Sequence, residues 1–172
     1  MLRDRPILVD GAFGLEYERS LPANVYMVGP MLPAQPPPLP EAMRVWLEQG
    51  PPVVYVNLGT LAIASKRQLI EMLQGLTSHS FRVLWVLKAA QAAALPRPLP
   101  AQLRIEEWGP PPLSILSHPS VCASVSHCGI NSVYEAVHAA TPIVGIPMLA
   151  DQRDMGARVA DAGVGVCLDK TR

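Results

Sequence analysis

Three thiols, Cys122, Cys128 and Cys167, are all the cysteine this 172-residue chain has, an odd number in a protein large enough to bury a core without disulfide staples. That usage favours a reducing compartment, and a cytoplasmic location is the expectation. Charge of one sign is lacking too: fourteen Lys and Arg balance fourteen Asp and Glu, so nothing electrostatic points to nucleic acid or an anionic membrane surface as partner. The apolar stretch over residues 143–150 falls well short of the roughly 20 residues a membrane span needs. At the start, Met1-Leu2-Arg3-Asp4-Arg5 carries an acid and leads only into Ile7-Leu8-Val9, too little for a signal-peptide core. Cys122, His127 and Cys128 lack zinc-type spacing, which argues against a metal site. No period suggests a solenoid. No Gly-x-Gly-x-x-Gly follows the apolar run at residues 53–58, which sets aside a Rossmann dehydrogenase.

Proline, by contrast, is abundant, with 19 residues against a usual share of roughly 5%. Five of them fall within residues 33–40, a stiff extended connector with few backbone donors, and we place a domain boundary there. Before it, residues 7–9 and 25–28 read as strands and residues 13–19 as a short helix. After it, residues 41–49 look helical, and residues 53–58 read as a buried strand ending in Gly59-Thr60. Ser65 and Gln68 form a capping-box pattern that opens a helix over residues 66–76, with Leu69, Leu73 and Leu76 on one face. Further strands are predicted at residues 81–87, 103–106, 121–126, 143–146 and 165–168, with helices over residues 133–140 and 153–162. The Ala-rich piece at residues 89–94 is ambiguous. Strands alternating with helices imply right-handed crossovers, hence an α/β fold with a Rossmann-like parallel sheet and helices on both faces.

Ligands of such open sheets sit beyond the carboxyl ends of the strands. Four polar clusters fall at those ends: Gly59-Thr60, Trp108, the run His127-Cys128-Gly129-Ile130-Asn131-Ser132 with Glu135 after it, and Asp151-Gln152. An indole can stack on a base, a carboxylate can accept two hydrogen bonds from ribose hydroxyls, and a helix start rich in Gly, Asn and Ser offers free N–H groups and a positive dipole end to a diphosphate. The combination points to a nucleotide-sugar, with all these groups expected to face one crevice.

In residues 53–170 the chain resembles the donor-binding half of UDP-glycosyltransferases of the GT-B type, whose signature runs Trp-x-Pro-Gln, His-(Cys or Gly)-Gly-x-Asn-Ser, Glu and Asp-Gln. Here it reads Trp108-Gly109-Pro110-Pro111, His127 to Ser132, Glu135 and Asp151-Gln152. The resemblance implies that Trp108 stacks on uracil and that Glu135 clasps the ribose. It implies that His127, Asn131, Ser132 and the backbone at Gly129 hold the diphosphate, with Thr60 of the Gly59-Thr60 loop near the distal phosphate. Asp151 and Gln152 would bind the sugar hydroxyls, with neither metal nor cofactor. Two departures stand out. Pro111 replaces the family's Gln, removing an amide and a backbone N–H, and the spacing from Trp108 to His118 is one residue longer than usual.

Residues 1–33 resemble only the tail of the family's amino-terminal acceptor domain, residues 34–52 form the proline-rich linker and a helix, and residues 53–172 form the UDP-sugar domain, shortened at its carboxyl end. The family's catalytic base, a histidine supported by an aspartate, belongs to the half not represented, so no catalytic residue is assigned. The expected function is the donor portion of a transferase that moves a hexose from UDP to a hydroxyl of a small lipophilic acceptor, with inversion. The alternative is a non-catalytic binding module or a partner of full-length relatives. Each site residue also has a purely structural reading. Ser132 and Glu135 spell a capping box, Asp151 could cap the following helix, Trp108 could be core, and His127 could be a hydrogen-bonded structural histidine. For His118, before Pro119, turn ordering is the expectation, and for Met155 packing.

Overall fold

The computed structural model describes residues 5–60, 63–149 and 151–168. The readings that fall on residues 1–4, on Ala150 and on residues 169–172, including the shortened carboxyl end, lie outside them.

Six parallel strands make the main sheet: β3 (Val53–Asn57), β4 (Arg82–Val86), β5 (Leu103–Glu106), β6 (Val121–Ser126), β7 (Ile143–Gly145) and β8 (Gly165–Cys167). Their order is β5-β4-β3-β6-β7-β8. Counted from its own first strand this is third, second, first, fourth, fifth, sixth, the doubly wound arrangement in which the chain reverses direction between the first and fourth strands. The loops after β3 and β6 therefore diverge to opposite faces and leave a gap between them. A separate pair, β1 (Ile7–Val9) and β2 (Val25–Met27), is also parallel.

The central strands β3 and β4 are buried on both faces, with alternate residues entering two separate clusters, so helices cover both sides of the sheet. On one side Val53 and Tyr55 join Met43 and Leu47 of α1 (Glu41–Glu48), Ile115 of α4 (Pro112–Leu116), Val133 of α5 (Ile130–His138) and Val159 of α6 (Gln152–Asp161). On the other, Val54, Val56 and Trp85 meet Leu69 and Leu73 of α2 (Lys66–Thr77) and Leu95 beyond α3 (Ala89–Ala92). The Ser65–Gln68 capping box at the start of α2 is formed in both directions. Arg82 ties α1 to the sheet: its guanidinium donates to the Trp46, Leu47 and Pro51 carbonyls and lies 4.7 Å from the centroid of the Trp46 ring.

Two local expectations are corrected, and one element is new. Residues 13–19 are not helical: Gly14 takes φ +109° and Phe13 bridges to Glu16, so the segment turns back on itself and offers Glu16 and Tyr17 to α6. There Tyr17 donates a 2.6 Å hydrogen bond to Asp161, and Glu16 faces Arg158 at 3.6 Å. Helix α5 begins at Ile130, three residues before the apolar pattern suggests, because its first turn opens on the exposed Ile130 and Asn131 and the half-buried Ser132, which hydrophobic periodicity does not register. The Pro-led turn α4 has no counterpart among the predicted elements. Proline at a first helical position costs no hydrogen bond, and here Pro112 starts a helix whose next four residues are buried.

Candidate functional site

Beyond the gap between β3 and β6, the loop after β3 is held by Asn57. Its Oδ1 accepts the Gly59 amide at 2.9 Å, and its Nδ2 donates to the Tyr55 hydroxyl at 3.0 Å. Gly59 takes φ +76°, which glycine adopts without strain, and this brings its Cα against the ring of His127. From β6 the chain enters the other loop. Cys128 takes φ +64°, donates its amide to Ser126 Oγ at 3.2 Å and buries its thiol, whose pKa burial and the Cys167 thiol push up to about 12. Gly129 then serves as N-cap of α5 and, having no side chain, leaves the first-turn N–H groups without a side-chain cap.

His127 stands between the two loops. A Cβ on Gly129 would lie 2.5 Å from its Nε2, and one on Gly59 would also crowd the ring, so the absence of a side chain at both positions makes room for it. Burial holds the imidazole below its ordinary pKa, offset in part by the Asn57 carbonyl and by the charge of Asp151. Its Nδ1 is buried with no partner in hydrogen-bonding geometry. A ring kept neutral can present one N–H donor and one acceptor.

The predicted residues line more than one hollow. Gly59, Thr60 and Trp108 line a hollow of about 410 Å³, with Tyr55 and Asn57 also on its wall. Asn131 and Glu135 line another, of about 340 Å³, formed with Asp10 and the chain around Pro30. Tyr55 relates the two: it lines the first, and the Glu135 charge helps burial push its phenol up to about 12. Burial likewise raises the Glu135 carboxyl above the usual glutamate range, with a backbone hydrogen bond from Leu113 pulling the other way. Asp151 is close enough to His127 for its charge to act there, whereas Gln152 is turned to its own loop, its Oε1 accepting the Met148 and Leu149 amides at 2.8 Å each.

Several structural readings fail on this geometry. Ser132 lies inside the first turn of α5 and not at its N-cap, so no capping box joins it to Glu135. Asp151 is the N-cap of α6 but makes no capping hydrogen bond. Trp108 is 75% exposed, so it is not core. Elsewhere the plain readings hold: His118 Nδ1 accepts the Ser120 amide at 3.2 Å across the turn before β6, and Met155 is buried. The wall of the larger hollow also carries Asn57 and Lys88, which the motif pattern does not single out. The Asn-x-Gly pattern at a strand end is a readable sign of Asn57. Lys88 reads in the sequence as no more than the polar end of an apolar run.

Among the described residues no three His, Cys, Asp or Glu side chains gather as metal ligands, and no helix is long and apolar enough to cross a membrane. The profile of the family described as "UDP-glucoronosyl and UDP-glucosyl transferase" matches residues 5–172. The chain is 38% identical over 162 residues to UDP-glycosyltransferase CGT of Oryza sativa subsp. indica, covering 84% of this chain and 34% of that protein. It is 33% identical over 166 residues to UDP-glucuronosyltransferase 3A1 of Mus musculus, covering 93% and 31%. It thus spans about a third of the length of these relatives. Among solved structures it superposes on Os79 from O. sativa in complex with UDP, with a TM-score of 0.68 at 32% identity, covering 74% of this chain and 30% of that one. The fold also matches a UDP-glucose: anthocyanidin 3-O-glucosyltransferase in complex with UDP, with a TM-score of 0.81 at 23% identity, covering 96% and 40%.

Proposed function

The chain belongs to the UDP-glucoronosyl and UDP-glucosyl transferase family, and from that premise we propose that it forms the donor side of a hexosyltransferase. It holds a UDP-sugar, whose hexose passes to a hydroxyl of a small lipophilic acceptor with inversion at the anomeric carbon. The acceptor oxygen bonds to that carbon as the bond to the UDP oxygen breaks. The acceptor's proton goes to a base carried by an acceptor-binding half such as the longer relatives have room for. Residues 1–33 contain no histidine to serve as that base.

In this reading Trp108 stacks on the uracil and Glu135 accepts from the ribose hydroxyls. The first turn of α5, with Asn131, Ser132 and the Gly129 backbone, binds the diphosphate together with His127 and Thr60. Asp151 and Gln152 hold the sugar, Gln152 through its Nε2 while its Oε1 holds the loop that presents them. No metal or cofactor is called for, because a helix terminus, an imidazole N–H and hydroxyls together stabilise a leaving diphosphate. The observation that carries the reading is His127 seated between Gly59 and Gly129 at the point where the sheet reverses direction. Ligands of this fold class bind there.

By itself the chain is expected to bind UDP with a dissociation constant on the order of 10 µM to 1 mM, as for a cleft with one wall only. Titration calorimetry with UDP and uridine tests this. Absence of heat with either, at millimolar ligand, would reject the donor reading. UDP binding with neither transfer nor sugar hydrolysis, in the presence of an acceptor-binding half, would favour instead a binding module that accompanies full-length relatives.

A further inference from the structure

Lys88 ends the turn after β4 and donates a 2.6 Å hydrogen bond from Nζ to the Thr60 carbonyl. It lines the larger hollow together with Thr60 and Trp108. Three residues on, Gln91 Nε2 reaches the Ala64 carbonyl at 3.4 Å, so the turn after β4 grips the loop after β3 at two points.

The charges around the hollows make this lysine more than a tether. Among the described residues lining the two hollows, Lys88 carries the one full positive charge, against the carboxylates of Glu107, Asp10 and Glu135. His127 does not relieve the imbalance, since burial favours its neutral form. A diphosphate is multiply anionic, and a helix start contributes partial charges alone. An ammonium has three N–H groups, and the Thr60 carbonyl uses one.

We propose that Lys88 is a phosphate-binding residue of this site: its ammonium, held at the Thr60 carbonyl, neutralises the diphosphate of the bound donor and of the nucleotide that leaves. The proposal rests on the donor reading and adds to it a charged partner that the motif resemblance does not supply.

Three proteins and two ligands test it by titration calorimetry at low and high salt. Wild type should bind UDP more tightly than uridine. Lys88→Gln keeps a donor for Thr60 but loses the charge. It should raise the UDP dissociation constant roughly tenfold, leave uridine within about twofold and flatten the salt dependence of UDP binding. Lys88→Arg should stay near wild type. If Lys88→Gln weakens UDP and uridine equally, the lysine only positions the loop, and the assignment is overturned. If wild type binds UDP and Lys88→Gln matches it, the assignment alone is overturned. A wild-type chain that binds no UDP overturns the donor reading and this assignment with it.

Discussion

A Cβ placed on Gly59 would lie 2.8 Å from both Cε1 and Nε2 of His127, so the imidazole occupies the space that a side chain at residue 59 would fill. The two loops that diverge from the centre of the sheet are thereby locked together by one ring.

Gly59→Ala should displace that ring. The backbone alone, at φ +76°, costs about 1–2 kcal/mol for a residue with a Cβ. The contact with His127 adds to it. A lower thermal midpoint together with weakened UDP binding is expected. A variant that melts and binds like wild type would mean that the loops are not coupled in this way.

Trp108→Ala separates stacking from stability. The indole is 75% exposed, so its loss should change folding by no more than about 0.5 kcal/mol. Binding of UDP and uridine should weaken alike, by about 1–3 kcal/mol. Trp85 is fully buried and Trp46 is half-buried against Arg82, so the emission component lost in Trp108→Ala is that of Trp108, and UDP quenching of equal size in the variant would contradict the stacking role.

Glu135→Gln should stabilise the unliganded protein at neutral pH while weakening uridine. Its carboxyl is raised by burial, so the folded state takes up the proton more readily than the unfolded chain. The associated stability is full below the unfolded glutamate value and is lost as pH rises through the folded one. His127 acts with the opposite sense: its folded value is depressed, so stability is full above the unfolded histidine value near 6.5 and falls as pH drops through the folded one. Midpoints measured between pH 4 and 8 should rise for Glu135→Gln at the upper end. They should lose part of their acid-side slope just below pH 6.5 for His127→Gln.

Asp151 and Gln152 are adjacent but should respond differently. Asp151→Asn removes no capping bond and should leave stability within about 0.5 kcal/mol, sparing UDP and weakening UDP-sugar. Gln152→Ala removes the acceptor that Oε1 offers to the Met148 and Leu149 amides and should cost about 1–2 kcal/mol. Equal melting of the two variants would contradict these separate roles.

The α/β alternation is legible in the sequence because short runs of β-branched and apolar residues and an amphipathic helix with a formed capping box leave strong local marks. The strands at Leu103–Glu106 and Val121–Ser126 lie where the pattern puts them. The first residue of α5 is not legible from hydrophobic periodicity, which begins only behind the exposed Ile130 and Asn131, although the Gly, Asn and Ser of that run mark a helix start. The turn at residues 13–19 mimics a helix in sequence because its conformation depends on Gly14 and on partners in α6, some 140 residues away. Lys88 stays hidden for a related reason: what singles it out is the dearth of other cations around the hollows, a property of space and not of neighbours in the chain.

Helix α6 carries Asp151 at its head, while Arg158 and Asp161 near its foot are fastened to Glu16 and Tyr17. Ten residues of helix make a strut about 15 Å long. Tugging on the strip that bears Glu16 and Tyr17 would therefore be felt at Asp151, the carboxylate whose charge reaches His127, so whatever grips that strip from outside has a mechanical handle on the loop end of the helix.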